Sequence, residues 1–258
     1  MIVFNNFNQG RLGNQLFFVA GTIGIAKNNN TTYGFTSNMS HSGIDYQSIF
    51  KNPLPITNII PNKQYHQEQF CYSDIKINDD VELVGYFQSE KFFKHCEDLI
   101  IKQFEFKNDV VEFVKDQYPE IVDNCSIHIR RGDYVNQPNH HPVTPIEYYY
   151  KILDDISSEY DNIFIFSDDE EWVKNEFKGE KYIFPKFKDN NDIYSFVLMS
   201  LSKDNIICNS TYSWWAAWLN KNKNKKIYSP EHDKWFGPMY NNLDTKDILP
   251  DEWIKIKY

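Results

Sequence analysis

Short apolar runs alternate with segments of helical pattern through the second half of the chain, and this alternation constrains the fold most. The apolar runs are rich in β-branched and aromatic residues, which predicts strands at 126–129, 162–166, 181–184, 205–208 and 225–229. Helices are predicted between them, at 144–157, 167–177, 190–202 and 210–220. Apolar strands that alternate with helices form parallel sheets covered on both faces. We therefore expect a doubly wound α/β domain.

Two of these helices begin with capping signals. Thr144 is placed to cap the first, with Pro145 at the first helical position and Glu147 completing a capping box. The segment 167–170, Ser-Asp-Asp-Glu, has the pattern of a second capping box.

The first half shows a weaker version of the same pattern. Strands are predicted at 1–4 and 81–89, and helices within 10–29 and at 90–104 and 109–118. We expect a second α/β domain here. Residues 1–123 would then form an amino-terminal domain and residues 124–258 a Rossmann-like carboxy-terminal domain.

Charge and composition exclude some classes of function. The formal net charge is −9, whereas a nucleic-acid surface needs a basic stripe, so no nucleic-acid partner is expected. The four cysteines lack metal-ligand spacing and are expected to be free, mostly buried thiols. No signal peptide and no apolar run of ~20 residues is evident, which predicts a cytoplasmic protein without an integral membrane segment. Peripheral association with a membrane stays open.

Three polar segments follow predicted strands directly, at 130–133, 167–169 and 209–211. In open parallel sheets, ligands bind outside the carboxyl ends of the strands. Two arginines can bind a diphosphate with fixed charge and paired donors. Ser210 and Thr211, at a helix start, offer an anion site, and Asp168 can accept hydrogen bonds from guanine or ribose. Together the segments predict a site for a nucleoside diphosphate.

Simpler interpretations stay open at this point. Adjacent arginines are often only surface charge, the 167–170 segment can be only a helix cap, and His128 can be a core histidine. The chain contains neither the P-loop pattern nor the Gly-x-Gly-x-x-Gly fingerprint. It also lacks the Asp-x-Asp spacing by which many sugar-nucleotide enzymes hold a divalent ion. The arginine pair is therefore the candidate for neutralising a diphosphate.

Five sequence blocks resemble the α-1,2-fucosyltransferases of glycosyltransferase family 11. They occur in that family's order and lie in both halves of the chain: GRLGNQLF (10–17), VGYFQSEKFF (84–93), HIRRGDY (128–134), FSDDEEW (166–172) and NSTYSWWAAWLN (209–220). The resemblance implies a GT-B-like fold, in which two Rossmann-like α/β domains face each other across a cleft. The carboxy-terminal domain would bind GDP-fucose and the amino-terminal domain an oligosaccharide acceptor.

The resemblance also implies an activity. The enzyme would be an inverting, metal-independent galactoside α-1,2-fucosyltransferase without a cofactor, moving L-fucose from GDP-fucose to the 2-hydroxyl of a galactose-terminated glycan. Transfer to another glycan or to a protein hydroxyl is the alternative within enzymes. A catalytically inactive protein that binds nucleotide sugars or glycans is the alternative from another class.

Roles in this reaction follow as hypotheses. Arg130 or Arg131 would take up charge on the β-phosphate, and Asp133 is the first candidate for the base, with an orienting role for an arginine as its rival. Glu90 and Glu68 are weaker candidates for the base. The predicted catalytic residues are Arg130, Arg131, Asp133 and Asn14. The residues predicted to contact GDP-fucose are His128, Arg130, Arg131, Asp168, Ser210, Thr211, Asn14 and Arg11. No residue is predicted to bind a metal ion.

Overall fold

The computed structural model describes residues 1–78, 80–189 and 191–258. The chain divides into two compact units, of which the first comprises residues 1–107 and 243–250 and the second residues 108–242 and 251–258. The α-helices are α1 Leu12–Asn28, α2 Glu97–Gln103, α3 Asn108–Gln117, α4 Ile146–Ile156, α5 Glu170–Glu176, α6 Asn191–Met199 and α7 Thr211–Trp218. The strands are β1 Ile2–Phe4, β2 Tyr33–Phe35, β3 Ser40–His41, β4 Ile44–Asp45, β5 Gln64–His66, β6 Val81–Val84, β7 Cys125–Ile129, β8 Ile163–Ser167, β9 Tyr182–Ile183, β10 Asp204–Ile206, β11 Ile227–Pro230 and β12 Ile254–Ile256.

The first unit is built on a parallel sheet with the strand order β2-β1-β6-β5. Strand β1 is buried along its whole length, as expected for a strand covered on both faces. Helix α1 contributes to the core, where Phe18 stacks on Phe4 with ring centroids 4.5 Å apart. A short antiparallel hairpin of β3 and β4 lies outside this sheet.

The second unit is built on a parallel sheet with the order β9-β8-β7-β10-β11-β12. Numbered along the chain within this unit, the order reads 3-2-1-4-5-6, that of a doubly wound nucleotide-binding fold. The predicted α/β class and parallel sheet are therefore confirmed. Trp214 and Trp215 on α7 are fully buried, so the aromatic block of this helix belongs largely to the core.

Helix α1 is buried on nearly all sides. It ends at Asn28, and Asn30 shortly after it adopts a left-handed conformation with φ of 51°, a common way to stop a helix. Among the described residues, no helix has both the length and the hydropathy needed to cross a lipid bilayer.

Several details differ from the sequence expectation. Thr144 does not cap α4, because its hydroxyl donates to Asn209 Oδ1 at 3.0 Å and Pro145 stands at the cap position. Ser167 does not cap α5, because Asp169 does so by accepting from the Trp172 N–H at 3.2 Å. Within the helix predicted at 90–104, only α2 is an α-helix, and the residues before α2 form 3₁₀ turns. Strand β12 was not predicted, since three residues at a sheet edge show little pattern.

The contacts divide the chain earlier than residues 123 and 124, where the sequence places the domain boundary. The second unit begins at Asn108 because α3 packs against α6 of that unit. The segment 243–250 belongs to the first unit, where Asp247 accepts from the Tyr72 N–H at 3.0 Å and from Lys91 Nζ at 2.6 Å. Asn190, the first residue of the predicted helix 190–202, lies outside the described residues.

The close approach of α1 to the segment after β6 generates a prediction. A Cβ on Gly24 would lie 2.1 Å from the Phe92 carbonyl oxygen. Gly24→Ala should therefore lower the free energy of unfolding by about 1–3 kcal/mol through overpacking, although alanine is the better helix former by ~1 kcal/mol. Urea unfolding measures this, with Lys27→Ala at an exposed site of α1 as control. A stabilised Gly24→Ala variant would show that the contact is looser than described.

Candidate functional site

The site forms where the strand order of the second sheet reverses. Strands β7 and β10 are neighbours, and the chain leaves them in opposite directions along the sheet. Such a switch point is where open α/β sheets bind ligands. Arg130 and Arg131 follow β7, and Asn209 and Ser210 follow β10, so the structure brings together two of the three polar segments found in the sequence.

The third segment joins them through the register of β7 and β8. Ile129 pairs with Ser167, which places Asp168 beside Arg130. Arg130 Nη1 lies 2.7 Å from Asp168 Oδ2, and Nη2 donates to Asp133 Oδ1. Burial works to lower the pKa of Arg130, but the carboxylates of Asp168 and Asp133 outweigh it and raise the pKa. This arginine is therefore held as a cation between two carboxylates.

Arg131 is held differently. Its Nε donates to Asp169 Oδ2 at 2.9 Å, and its guanidinium lies 3.9 Å from the ring centroid of Trp172. A cation stacked on an indole and hydrogen-bonded at one edge has its fork oriented in advance. Among the described residues, no ion pair or hydrogen bond involves Nη1 or Nη2 of Arg131.

Asp133 lies in a 3₁₀ turn, Gly132–Asn136, and its side chain is 44% exposed. Its only described ion pair is with Arg130. This contact matches the orienting role that the sequence left open beside a role as base. Asp169 caps α5 and also contacts Arg131.

A buried histidine lies beneath the arginine loop, which comprises residues 130–136. His128 is 6% exposed, and its Nδ1 is 3.3 Å from Cys208 Sγ. Burial, with a smaller contribution from Arg130, lowers the pKa of His128 to about 3. Burial likewise raises the pKa of the Cys208 thiol to about 12. Both groups are therefore neutral at physiological pH.

The turn after β10 is fixed by side-chain hydrogen bonds. Asn209 donates through Nδ2 to the carbonyl oxygens of Pro142 and Trp235, at 2.9 and 3.1 Å, and accepts from Thr144. Tyr134 donates to the Asn209 carbonyl oxygen at 3.2 Å. Ser210 precedes α7 without capping it through its side chain, and Thr211 is the first residue of that helix. The start of α7 is thus tied to the arginine loop.

The remaining predicted residues belong to the first unit. Arg11 is exposed at the start of α1, and Asn14 Oδ1 accepts from Gln88 Nε2 at 3.1 Å. Glu90, a weaker candidate for the base, is buried and lies 3.2 Å from Lys94 Nζ. Glu68 is exposed.

Sequence reasoning did not single out Trp172 or Gln88, which contact the predicted site residues Arg131 and Asn14. Both lie inside the blocks that carry the family resemblance, at 166–172 and 84–93. Those blocks were the available signal, but a block does not tell which of its members contacts a site residue. The contacts of Trp172 with Arg131 and of Gln88 with Asn14 appear only in three dimensions.

Comparison with known proteins defines the class first. The structure resembles NodZ α-1,6-fucosyltransferase soaked with GDP-fucose, with a TM-score of 0.54 and 13% identity over 84% of this chain and 92% of that chain. It also resembles POFUT1 in complex with GDP-fucose, with a TM-score of 0.55 and 13% identity over 88% and 96% of the two chains. Two parallel-stranded α/β units and these likenesses confirm the predicted GT-B-like fold.

The family follows from sequence. The family model of glycosyl transferase family 11 matches residues 3–257, and the chain belongs to that family, as the five blocks predicted. It is 32% identical to the O-antigen biosynthesis glycosyltransferase WbnK of Escherichia coli over 83% of this chain and 76% of that protein. It is 31% identical to an alpha-1,2-colitosyltransferase of Escherichia coli over 76% and 70%. It is 23% identical to a galactoside 2-alpha-L-fucosyltransferase of Caenorhabditis elegans over 95% and 76%.

The buried His128 generates a second prediction. Since its pKa is lowered in the folded protein to about 3, its imidazole resonances in NMR spectra should not shift between pH 8 and pH 5, although an ordinary imidazole titrates near 6.5. The unfolded chain binds the proton more readily. The contribution of neutral His128 to stability is therefore complete above about pH 6.5 and is lost as the pH falls toward about 3. A titration midpoint near pH 6 in the folded protein would contradict this.

Proposed function

We propose that this family 11 chain transfers L-fucose from GDP-fucose to the 2-hydroxyl of a galactose-terminated glycan, with inversion at the anomeric carbon and without a metal ion. The observation that carries the proposal is the arginine pair at the switch point of the second sheet, held by three carboxylates and an indole. A diphosphate is the ligand chemistry that such a pair matches best.

The relatives support each half of the reaction. One of the two fucosyltransferase structures was soaked with GDP-fucose and the other is a complex with GDP-fucose. A 2-α-L-fucosyl link is in the name of the nematode relative. O-antigen biosynthesis, in the name of the WbnK relative, favours an oligosaccharide acceptor. Transfer to a protein hydroxyl has no comparable support among the sequence relatives.

The arginines would act on the leaving group. As the bond between fucose and the diphosphate breaks, negative charge grows on the β-phosphate. Donors that bind this charge more strongly in the transition state than in the ground state accelerate the reaction. The Nη groups of Arg131 are oriented by Asp169 and Trp172, while Arg130 is fixed by two carboxylates. Both guanidinium groups are thus held in place before the donor arrives.

Other groups complete the proposed donor site. Ser210 and Thr211 would add hydroxyl and backbone donors at the start of α7. Asp168 lies at the same sheet edge, against both arginines. His128 exposes little surface, so its contact with the donor would be small and its main effect would be through the arginine loop above it.

The acceptor hydroxyl must lose a proton. Asp133 stays the first candidate for the base, because its carboxylate is the most exposed of those that contact the arginines. Its ion pair with Arg130 would have to loosen for this role. If it does not loosen, Asp133 orients Arg130 and the proton leaves to a phosphate oxygen of the departing diphosphate.

The transfer reaction itself is the decisive test. Purified protein, GDP-fucose and a panel of galactose-terminated oligosaccharides should yield GDP and an α-1,2-linked fucoside, identified by linkage analysis, at the same rate with and without EDTA. Release of GDP without a fucosylated product would favour hydrolysis. Binding of GDP-fucose without any turnover would favour the inactive sugar-binding alternative, and loss of activity in EDTA would overturn the metal-independent mechanism.

A second donor has support from one relative. The alpha-1,2-colitosyltransferase is 31% identical over 76% of this chain, and colitose is fucose without its 3-hydroxyl. The same arginine pair would bind the diphosphate of either donor. GDP-colitose belongs in the assay as a competing donor. A higher kcat/KM for GDP-colitose than for GDP-fucose would identify colitose as the transferred sugar and leave the proposed role of the arginines unchanged.

Substitution of the arginines generates the next prediction. Arg130→Ala and Arg131→Ala should each lower kcat by about 10²–10³, the usual cost of losing one donor to developing charge. Lysine at either position should restore only part of the rate, because the planar fork is lost. Wild-type kcat in both alanine variants would contradict the assignment. Lys174→Ala, an exposed cation on α5, is the matched control and should leave kcat unchanged.

A further inference from the structure

We propose that Asp168 is a positioning residue that fixes both arginines for the diphosphate and does not bind the nucleoside. The inference rests on the proposed function, since it takes the arginines to be the diphosphate donors. It gives Asp168 a different role from the contact with guanine or ribose that the sequence suggests.

Both carboxylate oxygens of Asp168 are engaged by the arginine loop. Oδ1 accepts from the backbone N–H of Arg131 at 2.8 Å. Oδ2 lies 2.7 Å from Arg130 Nη1. One side chain therefore holds the backbone of one arginine and the guanidinium of the other.

Gly132 provides an independent observation. A Cβ on this residue would lie 2.3 Å from Asp168 Oδ2, which is far inside any real contact. A side chain at position 132 would therefore displace the Asp168 carboxylate, and the glycine leaves room for that carboxylate.

The next residue has a separate task. Asp169 caps α5 and holds Arg131 at Nε, so it orients the side chain whose backbone Asp168 fixes. Arg130 and Arg131 are adjacent in sequence, but their guanidinium groups are held by different carboxylates. Preorganised donors need no rearrangement as charge develops, and a displacement of about 1 Å can cost ~10² in rate. Loss of Asp168 should therefore affect catalysis more than nucleoside binding.

The test compares nucleotides that differ in phosphate number or in the base. Affinities of GDP, GMP and IDP, measured by calorimetry, are compared for the wild type, Asp168→Asn and Asp168→Ala. GDP affinity should fall by about tenfold or more, as expected when charge-assisted bonds to the diphosphate are disordered. GMP affinity should fall several-fold less, the preference for GDP over IDP should stay unchanged, and kcat should fall by ~10². Equal losses for GMP and GDP, or a lost preference for GDP over IDP, would show direct nucleoside contact.

A double-mutant cycle tests the close approach of Gly132 to the Asp168 carboxylate. Gly132→Ala should lower kcat strongly in the wild type, because the methyl group displaces the carboxylate. In the Asp168→Ala background the same change should cost little, since the clashing atoms are gone. Additive effects of the two substitutions would overturn the inference. Asp155→Asn, an exposed carboxylate on α4, controls for the change in net charge, and thermal unfolding confirms that each variant is folded.

The proposed donor and the positioning role of Asp168 can be disproved separately. If the wild type binds no GDP, the proposed donor is wrong and the positioning role falls with it. If the wild type binds GDP and transfers fucose, but Asp168→Asn loses GMP and GDP affinity alike, only the positioning role is wrong.

Discussion

The pairing of guanidinium groups with carboxylates across the ends of two neighbouring parallel strands underlies the rest of the site. Strand β7 delivers the arginines and β8 delivers Asp168 and Asp169, and the register of the two strands sets them side by side. The protein carries a net charge of −9, so an anion site must be local. Carboxylates that hold the two arginines by fixed edges keep the guanidinium donors rigid while the surrounding surface stays acidic.

The buried groups around this pairing are electrically neutral. His128 and Cys208 lie under the loop with pKa values displaced by burial away from the physiological range. Tyr134, Asn209 and Thr144 connect the arginine loop, the turn after β10 and the start of α4 by hydrogen bonds. Neutral groups that are hydrogen-bonded to one another in this way make the loop rigid. Because they carry no charge, they do not compete with a bound anion for the positive charge of the arginines.

Elements with strong local pattern could be predicted from the sequence, and weak ones could not. The β-α alternation of the second unit is confirmed because each run has enough apolar residues to show its period. Strand β12 shows too little pattern in Ile254–Ile256. The caps were less predictable, because a hydroxyl near a helix start has several possible partners. The hydroxyl of Thr144, for example, donates to Asn209, which is distant in sequence.

The sequence alone determined which chemistry the chain can offer: adjacent arginines, a glycine and aspartates at the ends of apolar strands, and the blocks of glycosyl transferase family 11. Only the tertiary structure decided which arginine meets which carboxylate, because strand order and register depend on packing between segments far apart in the chain. The close approach of Gly132 to Asp168 joins the segments that follow two different strands. No local pattern encodes such a contact, since it exists only once β7 and β8 are paired.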